Sequence, residues 1–413
     1  MTANAVPAER TGLRGVLPLL GPAMVAGVAY LDPGNVASNA SAGARYGYLL
    51  VWVVVLANTM AWLVQYLSAK LGIATGQSLP GLLGQSLRNR GVRYAFWVQA
   101  ELVAMATDVA EVLGGAIALN LLFHLPLLLG GIITGLVSLL LLALTNRGGS
   151  RSFERVVTGL VLVIGIGFCA GIVVAPVDGA AALGGLVPRF TDSGSVLLAA
   201  SILGATVMPH AIYAHSALTR DRFGLVVDGA DRRRVLRATR IDVTVALAVA
   251  GTVNVVILLL AASTLPGVDS AGTLPGAYDA ISAALGPVVA TLFAVGLLAS
   301  GLASTSVGAY AGAEIMQGLL HARVPLVVRR LVTLIPALLL LAIGVNPTRA
   351  LVLSQVALSF GIPFALIPLV RYTSRRSLLG DATNRWWTTV LAVVAAVLLV
   401  GLNVTLVVLL VVG

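Results

Sequence analysis

Apolar runs of roughly 18 or more residues recur from end to end of this 413-residue chain, and each is long enough to cross a ~30 Å hydrocarbon core as a helix. Runs such as Leu49–Leu56 and Val255–Ala262 are apolar without alternation. That excludes a membrane barrel, whose segments of about ten residues alternate between lipid and lumen. Only 10% of the residues are charged and 58% are hydrophobic. A soluble domain carries about 25% charged residues, and no soluble fold of this size hides so much apolar surface. The fold class is therefore an all-α integral membrane protein.

Eleven spans are expected, at roughly 14–45, 48–73, 94–123, 127–144, 156–175, 194–218, 241–265, 285–318, 331–345, 350–370 and 386–411. The connections are short and rich in Gly, Pro, Asp and Arg, so residues 1–413 read as one transmembrane domain. The stretch Met1–Gly12 is short and polar, without a cleavable signal pattern. With the N-terminus inside, the cytoplasmic segments hold all the lysine and arginine residues except Arg45, Arg189 and Arg349. Of 26 basic residues that leaves 23 on one side, a split that a missed or invented span would destroy. It puts the C-terminus outside, and it makes the net charge of +10 a matter of topology rather than nucleic-acid binding. The single cysteine, Cys169, permits neither an internal disulfide nor a thiolate metal cluster. Short loops and short termini fit a prokaryotic inner membrane.

Two spans are broken by their own sequence. Span 1 contains Asp32-Pro33-Gly34-Asn35 and span 6 contains Met208-Pro209-His210, both well inside the apolar stretch. Proline removes a helix donor and glycine frees the backbone. Irregular backbone at membrane depth is tolerated only where it lines a cavity or is buried in protein. Each break opens a block of five spans, about 14–175 and 194–370, with 386–411 left over. Corresponding broken helices in two halves point to an inverted-repeat transporter with its site at mid-membrane.

The breaks carry cation chemistry. Asp32 is an acid inside an apolar span, which is costly unless used; the plainer alternative is a cap on the second half-helix. Asn35 adds an amide oxygen one turn on. Met208 occupies the position equivalent to Asp32 in the other half. A membrane methionine is usually packing, but a carboxylate and amide joined by a thioether suit a transition metal better than calcium or magnesium. Half-helices ending near Ala29 and Ala205 would present carbonyl oxygens at their negative dipole ends. His210 and His215 can relay protons or be satisfied structural histidines. His124 and His321 lie at span ends and receive no role. In span 3, Glu101, Asp108 and Glu111 fall within about an 80° sector of one helix face. Such a row reads as a proton relay, or as acids neutralising arginines such as Arg329 and Arg330, which open span 9.

These residues resemble the Nramp family of divalent metal transporters over essentially the whole chain. The resemblance rests on the two broken-helix motifs, on Thr107-Asp108-Val109-Ala110-Glu111, on Gly204 through His210, and on Ala303-Ser304-Thr305-Ser306. Arg329-Arg330, Asn346-Pro347-Thr348-Arg349 and Ser354-Gln355 through Gly361 extend it. It implies a LeuT-like fold with spans 1–5 and 6–10 as inverted repeats, and import of Mn²⁺ or Fe²⁺ with protons. It implies metal ligation by Asp32, Asn35 and Met208 with the Ala29 and Ala205 carbonyls, and approach of Gln355 in some states. Asp32 and His210 would lie where protons enter, and Glu101, Asp108 and Glu111 with Arg329 or Arg330 would lead them to the cytoplasm. No cofactor and no obligate protein partner are implied. The chain departs from the family late in span 8, where Ala313 replaces a common glutamine and Glu314 a common apolar residue.

Rival readings are a proton- or sodium-coupled amino-acid symporter of the same fold, an intramembrane metalloenzyme, and a channel. The symporter needs small backbone facing a substrate carboxylate. The enzyme needs a closed ligand set such as His-Glu-x-x-His, which is absent from the sequence. Two broken half-helices favour alternating access over a channel.

Overall fold

The computed structural model describes residues 19–227, 229–265, 272–322 and 324–412, leaving aside the side chains of 141–157, 326 and 410. Arg10, Arg14 and Arg323, the side chains of Arg147, Arg151 and Arg155, and the expected start of span 1 lie outside the described residues.

The described residues form helices joined by short links, with no strand. Span 1 is a half-helix 1a, Pro22–Val28, continued by a 3-10 turn at Ala29–Leu31, then a half-helix 1b, Pro33–Tyr46. Span 6 is likewise 6a, Ser193–Thr206, and 6b, Pro209–Phe223. The unbroken spans are Val51–Thr75 (2), Arg90–Phe123 (3), Gly229–Thr264 (7), Pro287–Leu320 (8), Leu326–Ala342 (9), Pro347–Thr373 (10) and Trp386–Val412 (11). Proline stands in the first turn of 1a, 1b, 6b, span 8 and span 10, where its missing N–H would be unpaired anyway. His124 and His321 are left-handed caps that stop spans 3 and 8, at φ 54° and 55°.

The expected loop between spans 4 and 5 is instead helical, within one assigned element, Leu127–Cys169. A straight helix of that length would be about 64 Å long, twice the hydrocarbon core. Its ends nonetheless sit on the same side of the bundle. Gly131 packs on Leu338 and Leu341 at the end of span 9, and Gly167 packs on Leu292 at the start of span 8. The element thus supplies both span 4 and span 5. Span 7 starts twelve residues before its expected apolar edge, because the arginine-rich stretch from Gly229 to Arg240 continues the same helix. Short helices at Leu79–Ser86, Gly179–Gly184, Leu274–Leu285 and Arg376–Leu379 occupy links between the spans.

Candidate metal centre

Both breaks leave the chain extended for a residue or two at the heart of the bundle. Asp32 (ψ 161°) ends the 3-10 turn and caps half-helix 1b, and Met208 (ψ 124°) caps half-helix 6b. Both side chains are wholly buried. Asp32 Oδ1 accepts the Asn35 N–H at 2.7 Å, so the capping alternative holds, but only one oxygen is engaged that way. Its Oδ2 accepts Gln355 Nε2 at 3.2 Å, which brings span 10 to the break. The other amide atom, Gln355 Oε1, is buried and has no partner. Gln355 needs glycine on both sides. A Cβ on Gly34 would fall 1.7 Å from Gln355 Nε2, and one on Gly204 would fall 1.9 Å from the Gln355 carbonyl oxygen.

Asn35 Nδ2 donates to the Tyr30 carbonyl at 2.7 Å and to the Ala205 carbonyl at 3.2 Å, joining the two broken spans directly. Hydrogen bonds thus bring Asp32, Asn35, Ala205 and Gln355 together. Ala29 is buried in the 3-10 turn beside them in sequence, and Met208 is buried at the facing break. The cluster offers a carboxylate, two amide groups, backbone carbonyls and a thioether. Among the described residues no three of His, Cys, Asp and Glu cluster as a conventional metal site.

Span 3 passes behind the first break, with Pro33 packed against Gly114. Its acids meet both arginines of span 9. Arg329 pairs with Glu101 at 3.0 Å, and Arg330 Nη1 bonds Asp108 and, at 3.2 Å, Glu111. Arg330 is completed by Ser138 and Thr305, each at 3.2 Å. Each acid keeps one buried oxygen without a partner. Arg330 bridges Asp108 and Glu111 while Glu101 has its own partner in Arg329, so the row is neutralised and still keeps free acceptor oxygens. The two histidines part company. His210 Nδ1 lies 3.2 Å from the Thr107 hydroxyl, next to Asp108, whereas His215 Nδ1 meets Gln65 Oε1 of span 2 at 2.7 Å. Five residues turn a helix by about 140°, so the pair cannot share one relay face.

Residues 23–409 match the family model described as Nramp, natural resistance-associated macrophage protein-like. This chain belongs to the Nramp family. It is 59% identical over 404 residues to the divalent metal cation transporter MntH of Mycobacterium tuberculosis, covering 98% of this chain and 94% of that one. It is 47% identical over 407 residues to MntH of Bacillus subtilis, covering 98% and 95%. Among solved structures, the manganese transporter of Eremococcus coleocola superposes with a TM-score of 0.86 at 31% identity, over 97% of this chain and 88% of that one. The nucleobase-cation symporter Mhp1, at 15% identity and TM-score 0.58, shares the fold alone.

The Nramp fold here also recruits residues that sequence reading passed over. Asn254 of span 7 donates to the Tyr30 carbonyl at 3.0 Å, and the Ser300 hydroxyl of span 8 bonds the Leu31 carbonyl. These are the carbonyls that the break in span 1 frees. Gln65 bridges the Tyr30 hydroxyl to His215. The signal was present: Gln65 and Asn254 are amides inside apolar spans, which calls for a partner. Glu314 is engaged by Arg220 of half-helix 6b through two hydrogen bonds, at 3.0 and 2.8 Å.

Proposed function

We propose that this chain imports divalent transition-metal ions, Mn²⁺ and Fe²⁺, across the prokaryotic cell membrane, coupled to protons and working by alternating access. It is a transporter, not an enzyme, and the metal is its cargo. The observation that carries the reading is the hydrogen-bonded meeting of Asp32, Asn35, Ala205 and Gln355 where both broken helices face each other, with Met208 buried at the second break. Relatives named divalent metal cation transporters, at up to 59% identity along nearly the full chain, support it.

In this reading Asp32 supplies the charge that attracts the cation. Asn35, Gln355 and the Ala29 and Ala205 carbonyls replace part of its water shell, and the Met208 thioether favours softer ions over Ca²⁺ and Mg²⁺. Protons enter at Asp32 and His210 and leave along Asp108, Glu111 and Glu101, with Arg330 and Arg329 holding those acids in register. His215 forms a side arm through Gln65. The arginine-rich ends face the cytoplasm, the C-terminus lies outside, and the chain is one domain of two repeats, about 14–175 and 194–370, plus span 386–411. Lipid is its surroundings, and no obligate protein partner is required. An amino-acid symporter of this fold is disfavoured, because a buried aspartate at the break repels a substrate carboxylate.

The test is Mn²⁺ uptake into proteoliposomes with and without an inward proton gradient. Uptake that the gradient accelerates, and that acidifies the lumen as metal enters, supports the reading. Gradient-independent uptake removes the proton coupling, and no uptake of any divalent ion removes the function.

A further inference from the structure

Half-helix 6b ends on the arginine-rich face, and there it is tied to span 8 by a network that neither the metal cluster nor the acid row uses. Arg220, in the last turn of 6b, grips Glu314 with both terminal nitrogens, Nη1 to Oε2 at 3.0 Å and Nη2 to Oε1 at 2.8 Å. Its Nε donates to Asp221 Oδ1 at 2.8 Å, and the Tyr310 hydroxyl donates to Asp221 Oδ2 at 2.6 Å. Two successive residues of 6b thus meet two residues one turn apart on span 8. The geometry is the fork-on-fork pairing that makes arginine–carboxylate contacts strong and directional. The side chains are 27% and 11% exposed for Arg220 and Glu314, so solvent screens this pair less than an open surface pair. Arg220 also places a positive charge at the negative end of the half-helix dipole.

The two elements differ in freedom. Span 8 is an unbroken helix of 34 residues. Half-helix 6b is a 15-residue rod, bounded at one end by the non-helical Val207–Met208 and at the other by Gly224 at φ 63°. It can swing about the metal-site break without losing its own backbone hydrogen bonds. The face it closes is otherwise tight: the Ser216 hydroxyl accepts the Leu79 N–H at 2.9 Å, and Gly84 of that short helix abuts the Gly318 carbonyl of span 8.

We infer that Arg220 and Glu314, braced by Asp221 and Tyr310, form a latch that holds 6b against span 8 and shuts the metal's way out to the arginine-rich face. Every import cycle breaks and remakes it. This inference rests on the transport reading above, since a latch matters only if that face opens.

The experiment is backbone hydrogen exchange of the full chain in lipid nanodiscs for the parent, Glu314→Gln, Arg220→Gln and the double variant, with Mn²⁺ uptake measured on the same proteins. With a latch, amides of His210–Phe223 exchange about five- to tenfold faster in each single variant. The double variant is no faster than either single, because both remove the same contact. Exchange across Ser193–Thr206 stays at the parent rate, and uptake changes in Vmax while KM for Mn²⁺ holds within about twofold. Parent-like exchange in 6b overturns the latch. So do single effects that add in the double variant, or an acceleration shared equally by 6a, which marks general loosening. If the parent takes up no Mn²⁺, the transport reading fails while the exchange comparison still decides the contact.

Discussion

The two breaks are alike in backbone and unlike in support. Each ends a half-helix, leaves an extended residue and restarts on a proline, Pro33 or Pro209. Around the first break, side chains claim the freed backbone groups. Asn35 and Asn254 take the Tyr30 carbonyl, Ser300 takes the Leu31 carbonyl, and Asp32 caps the next helix. Around the second, Met208 makes no side-chain cap, and the buried Thr206 hydroxyl lacks a hydrogen-bond partner. Unpaired groups in a dry interior are costly, so the first break is held in one shape by many bonds. The second is held by fewer, among them the Asn35 bond to the Ala205 carbonyl. In the proposed transport reading the first break presents the charge, and the second, with Met208, chooses among ions.

The largest effect is expected where the supported break meets the metal. Asp32→Asn keeps an oxygen for the helix cap but removes the charge, so Mn²⁺ binding by calorimetry should weaken about 100-fold or more. Unchanged affinity would reduce Asp32 to a cap and dissolve the contrast. Gly34→Ala comes next. Its methyl must displace Gln355, and overpacking of this kind costs about 1–3 kcal/mol, so Mn²⁺ transport should fall about tenfold. Gln355→Ala added to Gly34→Ala should recover part of that loss; no recovery would mean that the alanine acts elsewhere. At the second break, Met208→Ala should cost Mn²⁺ about fivefold to tenfold in affinity, near 1 kcal/mol, since Mn²⁺ accepts oxygen as well. It should cost Cd²⁺ much more and admit Ca²⁺ to a measurable degree. Competition uptake in liposomes reads all three ions, and a variant that still excludes Ca²⁺ and keeps Cd²⁺ would make the sulfur mere packing. The smallest effect belongs to Asn254→Ala. Losing one neutral hydrogen bond of about 1 kcal/mol should lower Mn²⁺ affinity about fivefold while leaving ion preference alone. A change in ion preference would show that the support of span 1 also sets selectivity.

Much of this site was legible because membrane burial makes polar residues conspicuous. Asp32, Asn35 and Met208 stood out by lying beside proline and glycine in apolar runs, and Glu101, Asp108 and Glu111 by their helical spacing. The arginine partners were legible as candidates, but their division was not. Arg329 takes Glu101 while Arg330 takes Asp108 and Glu111, over separations of more than 200 residues. The histidines read as a pair along the chain, yet neighbouring spans 3 and 2 claim them separately. The helical start of span 7 was not legible, because hydropathy marks the membrane edge, whereas backbone hydrogen bonding carries a helix past it.

The sequence by itself determined the class of the molecule, the order of its spans and the places where they break. These follow from local physics: hydrocarbon excludes unpaired backbone groups, and proline interrupts a helix wherever it stands. Tertiary structure alone decided which distant groups meet at those breaks. Gln355 reaches Asp32 across 323 residues, and Glu314 finds Arg220 across 94. No local preference encodes such a meeting. It depends on two glycines letting span 10 approach the broken helices and on how the half-helices pack once they are broken.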